Sequence, residues 1–276
     1  MKKRVFNKAF FWQKPVYLPF VHSPLSDEMV AEFEHKIGYS LPKSMVELLK
    51  IQNGGYLHYG LPQTPPMQLW GIGEHYPNLI LLSEEFDQDE DYIEFSLDDL
   101  LAFDGDGHYY FCLDYRQNKD NPKVSYIDLE MGEEESENSV VADSFDEFLA
   151  MLTLKTDTTW VIKSEKPLSE IVELFKSKLE IQFDAPNTMD FGYDKYRAKY
   201  GGHWLWLSPN TVPFAFARKG EHNYNQLKHH TDKIALLYPE ISEKYTLLES
   251  FTPKQIQKLI TELSGVLEIV PLGELV

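Results

Sequence analysis

The stretch "LPKSMVELLKIQNGGYL", residues 41–57, decides how the first half of the chain is interpreted. Its apolar residues recur at helical spacing and predict a helix with one buried face. These residues are Met45, Val46, Leu48 and Leu49. Pro42 suits the first helical position, and Asn53-Gly54 stands where a helix commonly ends in a left-handed residue. A phosphate-binding loop would place its glycines before a helix, where amide N–H groups are free. Here the glycines follow one, so they predict helix termination rather than a ligand site.

Another helix precedes this stretch. Met29, Phe33 and Ile37 recur every four residues, and Gly38 follows them as a terminator. Either Ser23 or Ser26 can serve as its N-cap. The two helices are expected to form a hairpin, and residues 1–22 are expected to pack across the first domain as a strand or arm.

Strand-like segments follow the helices. "YLHYG", "MQLWGIG" and "LILL" carry aromatic or aliphatic residues between Gly and Pro, and "SLDDLLAF" fits a strand end or a short helical turn. Residues 108–115 and 123–130 predict an antiparallel pair, because a short polar connector joins them. Ser144 and Glu147 predict a capping box at a closing helix. The order of elements predicts an α+β domain.

The pattern restarts near residues 153–159, which predicts domains at 1–155 and 156–276. The second, smaller domain is also expected to be α+β and of unknown function. Its predicted elements are a strand at "WVIK", helices at 167–179 and 225–238, strands at "HWLWLS" and "VPFAFAR", and a last helix capped by Thr252 and Gln255. Trp and Phe at alternate strand positions are expected to face the core rather than stack on nucleic acid bases.

The charge balance limits the classes of partner. Lys and Arg total 26 against 44 Asp and Glu, a formal net charge of -18. Such a surface repels nucleic acid and anionic lipid and attracts basic proteins. The acidity is concentrated at residues 83–92 and 130–137, which predicts either solvated loops or a docking surface for a cationic protein. No apolar run approaches the roughly 20 residues of a membrane span, and the basic N-terminus lacks a cleavage site. We therefore expect a soluble, cytoplasmic protein.

Motifs that would indicate catalysis are weak. Asp104, Asp106 and His108 alternate in "FDGDGHYY", but the EF-hand positions that follow do not match, so an Asp-Gly turn is favoured over an ion site. Cys112 lies within an apolar run and is expected to be buried and inert. The histidines, including His203, show no recognisable ligand spacing. We expect a protein that is not an enzyme and needs no cofactor or metal, with a metal-dependent hydrolase as the least favoured alternative.

The first half resembles the SUKH superfamily, which includes Smi/Knr-like regulators of cell-wall assembly and bacterial toxin-immunity proteins. The resemblance covers about residues 25–154 and rests on four segments in order. They are "VAEFEHKIGYSLPKSMVELLKIQNGG", "LWGIGEH", "LLAFDGDGHYYFCLDYRQNKDNPKVSYIDLE" and "VVADSFDEFLAML". Residues 157–276 resemble no known family.

The resemblance implies a mixed or antiparallel sheet flanked by helices that acts by binding. It places Leu41, Pro42, Asn53, Gly54, Gly55, Trp70, Gly71, Asp114 and Phe145 at motif positions. Bacterial members are thought to neutralise a cognate toxin, and a basic, nuclease-like toxin would suit the acidic surface. The predicted partner-binding residues are Trp70, Glu84, Glu85, Asp87, Glu90, Asp91 and Asp114. The alternative is a regulatory scaffold of the cell-wall-regulator type; the oligomeric state is left open.

Overall fold

The computed structural model describes residues 8–62, 64, 67–86, 93–137, 139–220 and 233–276. It divides into two compact units. The first contains the described residues up to Gln13 together with Phe20–Leu154. The second contains Lys14–Pro19, which includes strand β1 (Val16–Tyr17), and Lys155–Val276. The N-terminal arm thus belongs only partly to the first unit: Phe11 and Trp12 enter its core, whereas β1 pairs in parallel with a strand of the second unit.

The helices of the first unit begin and end close to the residues that the sequence indicates. They are α1 (Asp27–Ile37), α2 (Lys43–Ile51), α3 (Leu82–Glu85), α4 (Glu133–Glu137) and α5 (Phe145–Met151). Ser26, not Ser23, caps α1 by accepting a hydrogen bond from the Met29 amide, and Gly38 ends it with a φ of 79°. At α5, Ser144 accepts from the Glu147 amide, but the Glu147 carboxylate accepts from Asp143, one residue before the expected partner.

An antiparallel five-stranded sheet forms the centre of the first unit. Its strands, in spatial order, are β5 (Ile80–Leu81), β6 (Leu100–Gly105), β7 (Tyr109–Asp114), β8 (Lys123–Asp128) and β9 (Val140–Ala142). Two short antiparallel pairs lie beside it. They join β2 (Gly55–Tyr56) to β4 (Gln68–Leu69) and β3 (Tyr59–Gly60) to β10 (Thr153–Leu154). The segment "SLDDLLAF" therefore ends in a strand rather than a helical turn.

One hydrophobic core holds these elements together. Helix α2 contributes Met45, Leu48 and Leu49, all fully buried as its periodicity predicts. Phe145 and Phe148 of α5 pack against Phe103 of the sheet with ring centroids 5.8 and 5.5 Å apart. Cys112 is also fully buried, and burial raises the pKa of its thiol. Helices on a mostly antiparallel sheet give the α+β class.

The second unit is built on another antiparallel five-stranded sheet. In spatial order it contains β12 (Tyr196–Tyr200), β13 (His203–Pro209), β17 (Thr246–Glu249), β11 (Thr159–Ile162) and β18 (Ile269–Pro271). The short strands β14 (Thr211–Pro213) and β16 (Ile234–Leu236) pair with each other, and β15 (Ala215–Phe216) pairs with β1. Helices α6 (Leu168–Leu179) and α7 (Pro253–Leu263) pack on one face of the sheet.

Two expectations for the second unit are wrong. The predicted helix at 225–238 contains strand β16 in its described part, and residues 225–232 lie outside the described ranges. Thr252 makes no side-chain cap on α7, because its hydroxyl contacts His203 Nδ1 at 3.2 Å.

No helix in the described ranges is long and apolar enough to cross a bilayer.

Candidate protein-binding surface

The hairpin turn between β6 and β7 lies at one end of the first unit's sheet. Asp106 Oδ1 accepts hydrogen bonds from the amides of His108 (3.0 Å) and Tyr109 (3.3 Å), and Gly107 has a φ of 103°. This geometry confirms the predicted Asp-Gly turn. Because both local amides bind one carboxylate oxygen, the exposed Asp106 charge is held in a fixed position.

Three tyrosines surround this turn. The ring of Tyr76 is 64% exposed and meets Trp70 edge-on at 5.5 Å. Tyr109 and Tyr126 stack with their centroids 5.4 Å apart. The pKa of all three tyrosines is raised. Partial burial is the largest cause and nearby carboxylates come second; Asp106 contributes to each shift. The common influence of Asp106 shows that residues distant in sequence meet here.

Two further carboxylates border the same rings. Glu85 acts on Tyr76, and Asp128, which faces Tyr109 across the β7–β8 register, acts on Tyr126. Within the described part of the chain, neither these carboxylates nor Asp106 form an ion pair. We call Tyr76, Glu85, Asp106, Tyr109, Tyr126 and Asp128 the acidic–aromatic surface.

The second acidic segment of the sequence continues this surface. The Leu129 amide donates to the His108 carbonyl at 3.1 Å, which brings residues 130–135 beside the hairpin turn. Glu130 is exposed, as are the first residues of α4. A Cβ placed on Gly132 would lie 3.7 Å from Glu94 Oε2, so a carboxylate from another loop joins the segment. Negative charge therefore extends from the turn along this loop.

Asp104 lies beneath the exposed charges. It is only 5% exposed, and burial raises its pKa to about 7 despite hydrogen bonds from the Gln68 and Gly105 amides. The neighbouring Asp106 charge raises it further. The three residues of the disfavoured ion site thus occupy different environments: Asp104 is buried, while Asp106 and His108 are exposed. In the described ranges, no three His, Cys, Asp or Glu side chains are grouped so that they could hold a metal ion.

The first predicted acidic segment is described only in part. Glu85 is exposed and belongs to the acidic–aromatic surface. Glu84 forms an ion pair with Lys36 at 2.9 Å, which reduces the negative charge it can offer a partner. Asp87, Glu90 and Asp91 lie outside the described residues.

Trp70 is in the core rather than at a cleft. Its side chain is 1% exposed, since the adjacent backbone is drawn into the unit by Asn53. Asn53 Nδ2 donates to the carbonyls of Ser23 (2.8 Å) and Ile72 (2.9 Å), and its Oδ1 accepts from the Ile72 amide (2.9 Å). Gly71 must be a glycine here, because a Cβ would lie 2.5 Å from the Asn53 carbonyl oxygen. The Asn-Gly-Gly stretch therefore follows the end of α2 and also fixes, through Asn53, the backbone next to Trp70.

Asp114 is likewise occupied by structural contacts. Burial favours a higher pKa, but hydrogen bonds and charge from Arg116, aided by Ser125, outweigh it and lower the pKa of Asp114. Arg116 Nη1 also donates to Ser136 Oγ at 2.8 Å. The carboxylate thus ties β7 to β8 and, through Arg116, to α4, and it offers little surface to a partner.

Sequence patterns did not identify the tyrosines of this surface. Tyr76 follows a glycine-rich loop, whereas Tyr109 and Tyr126 are on strands whose aromatic residues are mostly buried. The register of β7 with β8 brings the two strand tyrosines together, and register is a tertiary property. The one sequence signal was the Asp-Gly turn itself, which indicated a solvent-facing position.

Comparison with known proteins agrees with the fold. A search of curated proteins gave no match. Residues 24–151, which include α1 to α5 and the five-stranded sheet of the first unit, match the SMI1 / KNR4 family (SUKH-1). Residues 152–276 match no family. This match confirms the resemblance of the first half of the chain to the SUKH superfamily.

Proposed function

We propose that the chain is a non-catalytic binding protein, and that it acts as an immunity protein by capturing a basic, nuclease-like toxin on the acidic–aromatic surface. The observation that carries this proposal is a set of carboxylates, without ion pairs among the described residues, around the exposed ring of Tyr76 and the half-buried rings of Tyr109 and Tyr126. The match of residues 24–151 to the SMI1 / KNR4 family (SUKH-1) supports a protein partner, because proteins of this superfamily include immunity proteins and regulators. A cytoplasmic site of action is part of the proposal.

The chemistry of the surface favours a cationic partner. Glu85, Asp106 and Asp128 would attract Lys and Arg side chains, and complementary fields raise association rates. Exposed tyrosines add apolar contact area and can accept cations on their ring faces. The formal charge of -18 extends the attraction beyond contact distance at low ionic strength.

The surface is suited to binding rather than to reaction. Asp104 is the carboxyl group whose pKa is raised to about 7, the range useful for proton transfer. It is buried beneath the surface, so it does not face a bound molecule. The exposed groups supply charge and contact area, which is what neutralisation by coverage requires.

Co-expression tests the proposal. The chain should rescue growth of cells that express the toxin encoded beside its gene, and should co-purify with that toxin. Glu85→Gln with Asp106→Asn and Asp128→Asn should weaken both effects. A matched control removes three exposed charges elsewhere, by Asp120→Asn, Asp157→Asn and Glu243→Gln. Co-purification without growth rescue would favour the regulatory scaffold, and failure against every neighbouring candidate would remove the immunity role.

A further inference from the structure

The second unit exposes aromatic rings on the outer face of its sheet. Along β13, Leu205 and Leu207 face the core formed with α6 and α7, so Trp204 and Trp206 point to the opposite face. Trp204 is 39% exposed and Trp206 is half-buried. Both tryptophans were expected in the core. Side chains of β13 do alternate between the two faces of the sheet, but Leu205 and Leu207, not the tryptophans, face the core.

Phe251 extends this set of rings. It follows β17, is 78% exposed, and meets Trp206 edge-on with centroids 5.6 Å apart. The other half of the outer face differs, because Val161 and Leu247 are covered by residues that include Ile241 and Leu272. Half of the face is thus packed as core, while the half that carries Trp204 and Phe251 is open to solvent.

Cations from β12 lie over these rings. Arg197 Cζ is 4.4 Å and Lys199 Nζ is 4.6 Å from the centroid of Trp204. Arg197 also forms an ion pair with Asp184 at 2.7 Å. Lys199 is exposed and has no ion pair with any residue that the structure describes. The Lys199 ammonium group lies over the Trp204 ring, and its N–H groups can still donate hydrogen bonds to a ligand.

We propose that this aromatic platform, formed by Arg197, Lys199, Trp204, Trp206 and Phe251, binds an acidic segment of a partner protein. A Glu or Asp carboxylate of the segment would pair with Lys199, and neighbouring apolar side chains would pack on Trp206 and Phe251. The charge and the exposed rings are complementary to such a segment. This partner differs in charge from the basic one bound by the first unit, so the two proposals stand independently.

A nucleic acid fits the platform less well. Single-stranded nucleic acid needs a track of free cations, but Arg197 is already paired with Asp184. Both cations lie over Trp204, where they compete with a stacked base.

Fluorescence anisotropy tests the platform with the full chain and a short labelled peptide rich in Glu and Leu. The same peptide with Gln or Lys in place of Glu provides the charge series. Binding should follow the order Glu, Gln, Lys and weaken as salt is added. Phe251→Ser should weaken binding about tenfold, and Lys199→Gln about threefold to fivefold. Because both side chains are exposed, neither change should impair folding.

Lys178→Gln is the matched control, since it removes one exposed lysine from α6, on the opposite face of the sheet. It should leave peptide affinity unchanged. Equal affinity for the Glu and Gln peptides, or equal losses in Lys199→Gln and Lys178→Gln, would overturn the proposal. Tighter binding of oligo-dT than of the Glu peptide would do so as well. Self-association in sedimentation that Phe251→Ser abolishes would instead assign the platform to a second copy.

Discussion

Asp104→Asn should stabilise the first unit, and the gain should grow with pH. In the unfolded chain this carboxyl group has the ordinary pKa of 3.8, whereas burial raises its pKa to about 7 in the folded protein. Between these values the folded state holds the proton more tightly. The stability of the wild-type protein therefore falls as pH rises from about 4 to about 7, and then levels off.

The two pKa values set the size of the effect. A separation of about 3 units corresponds to about 4 kcal/mol of unfolding free energy, at about 1.4 kcal/mol per unit. Asparagine resembles the protonated acid and does not ionise. The gain from Asp104→Asn should therefore be below about 1 kcal/mol at pH 4 and about 4 kcal/mol at pH 8.

Urea unfolding at both pH values measures this difference. Unfolding of the first unit can be followed by pulsed hydrogen exchange of the β6 and β7 amides, which separates it from the second unit. Asp120→Asn, an exposed change in the connector between β7 and β8, should give the same small effect at both pH values. An Asp104→Asn gain that does not depend on pH, or a loss at pH 8, would refute a buried Asp104 whose pKa is raised in the folded protein.

Three other changes probe the first unit. Gly71→Ala should cost about 2–3 kcal/mol in urea unfolding, because the new Cβ would lie 2.5 Å from a backbone oxygen; Gly265→Ala, with nothing within 4 Å, should change little. Asp114→Ala should cost about 2–3 kcal/mol, and the loss should be less than additive with removal of its arginine partner in a double-mutant cycle. Cys112 should resist alkylation by iodoacetamide until urea unfolds the first unit, and rapid native labelling would contradict its burial.

Local chemistry was sufficient to predict the first unit's regular elements. Helices α1 and α2 follow from their periodicity and flanking Ser, Pro and Gly residues, and the β7–β8 pair follows from its short polar connector. The left-handed residue after α2 is Gly54, with a φ of 100°, rather than Asn53, whose side chain binds the Ile72 backbone. That contact spans two segments and has no local signal.

The candidate surfaces depend on tertiary contacts and were less predictable. Acidic segments indicated where charge would lie, but not that Asp106 and Tyr76 would meet. On β13, alternation separated the tryptophans from Leu205 and Leu207 without showing which set was buried. Because both sets are apolar, the packing of α6 and α7 on one face of the sheet determines which set is buried. Strand β12 was missed because its alternating Arg197 and Lys199 dilute the strand signal.

The association rate with the toxin tests the central claim most directly. Stopped-flow measurements should compare wild-type protein, the Glu85→Gln/Asp106→Asn/Asp128→Asn variant and the Asp120→Asn/Asp157→Asn/Glu243→Gln control across ionic strengths. Both variants change net charge equally, so any difference between them reports position. We expect the first variant to associate about tenfold more slowly at low salt and with a flatter salt dependence. Identical rates and salt dependences for the two variants would contradict capture by the acidic–aromatic surface.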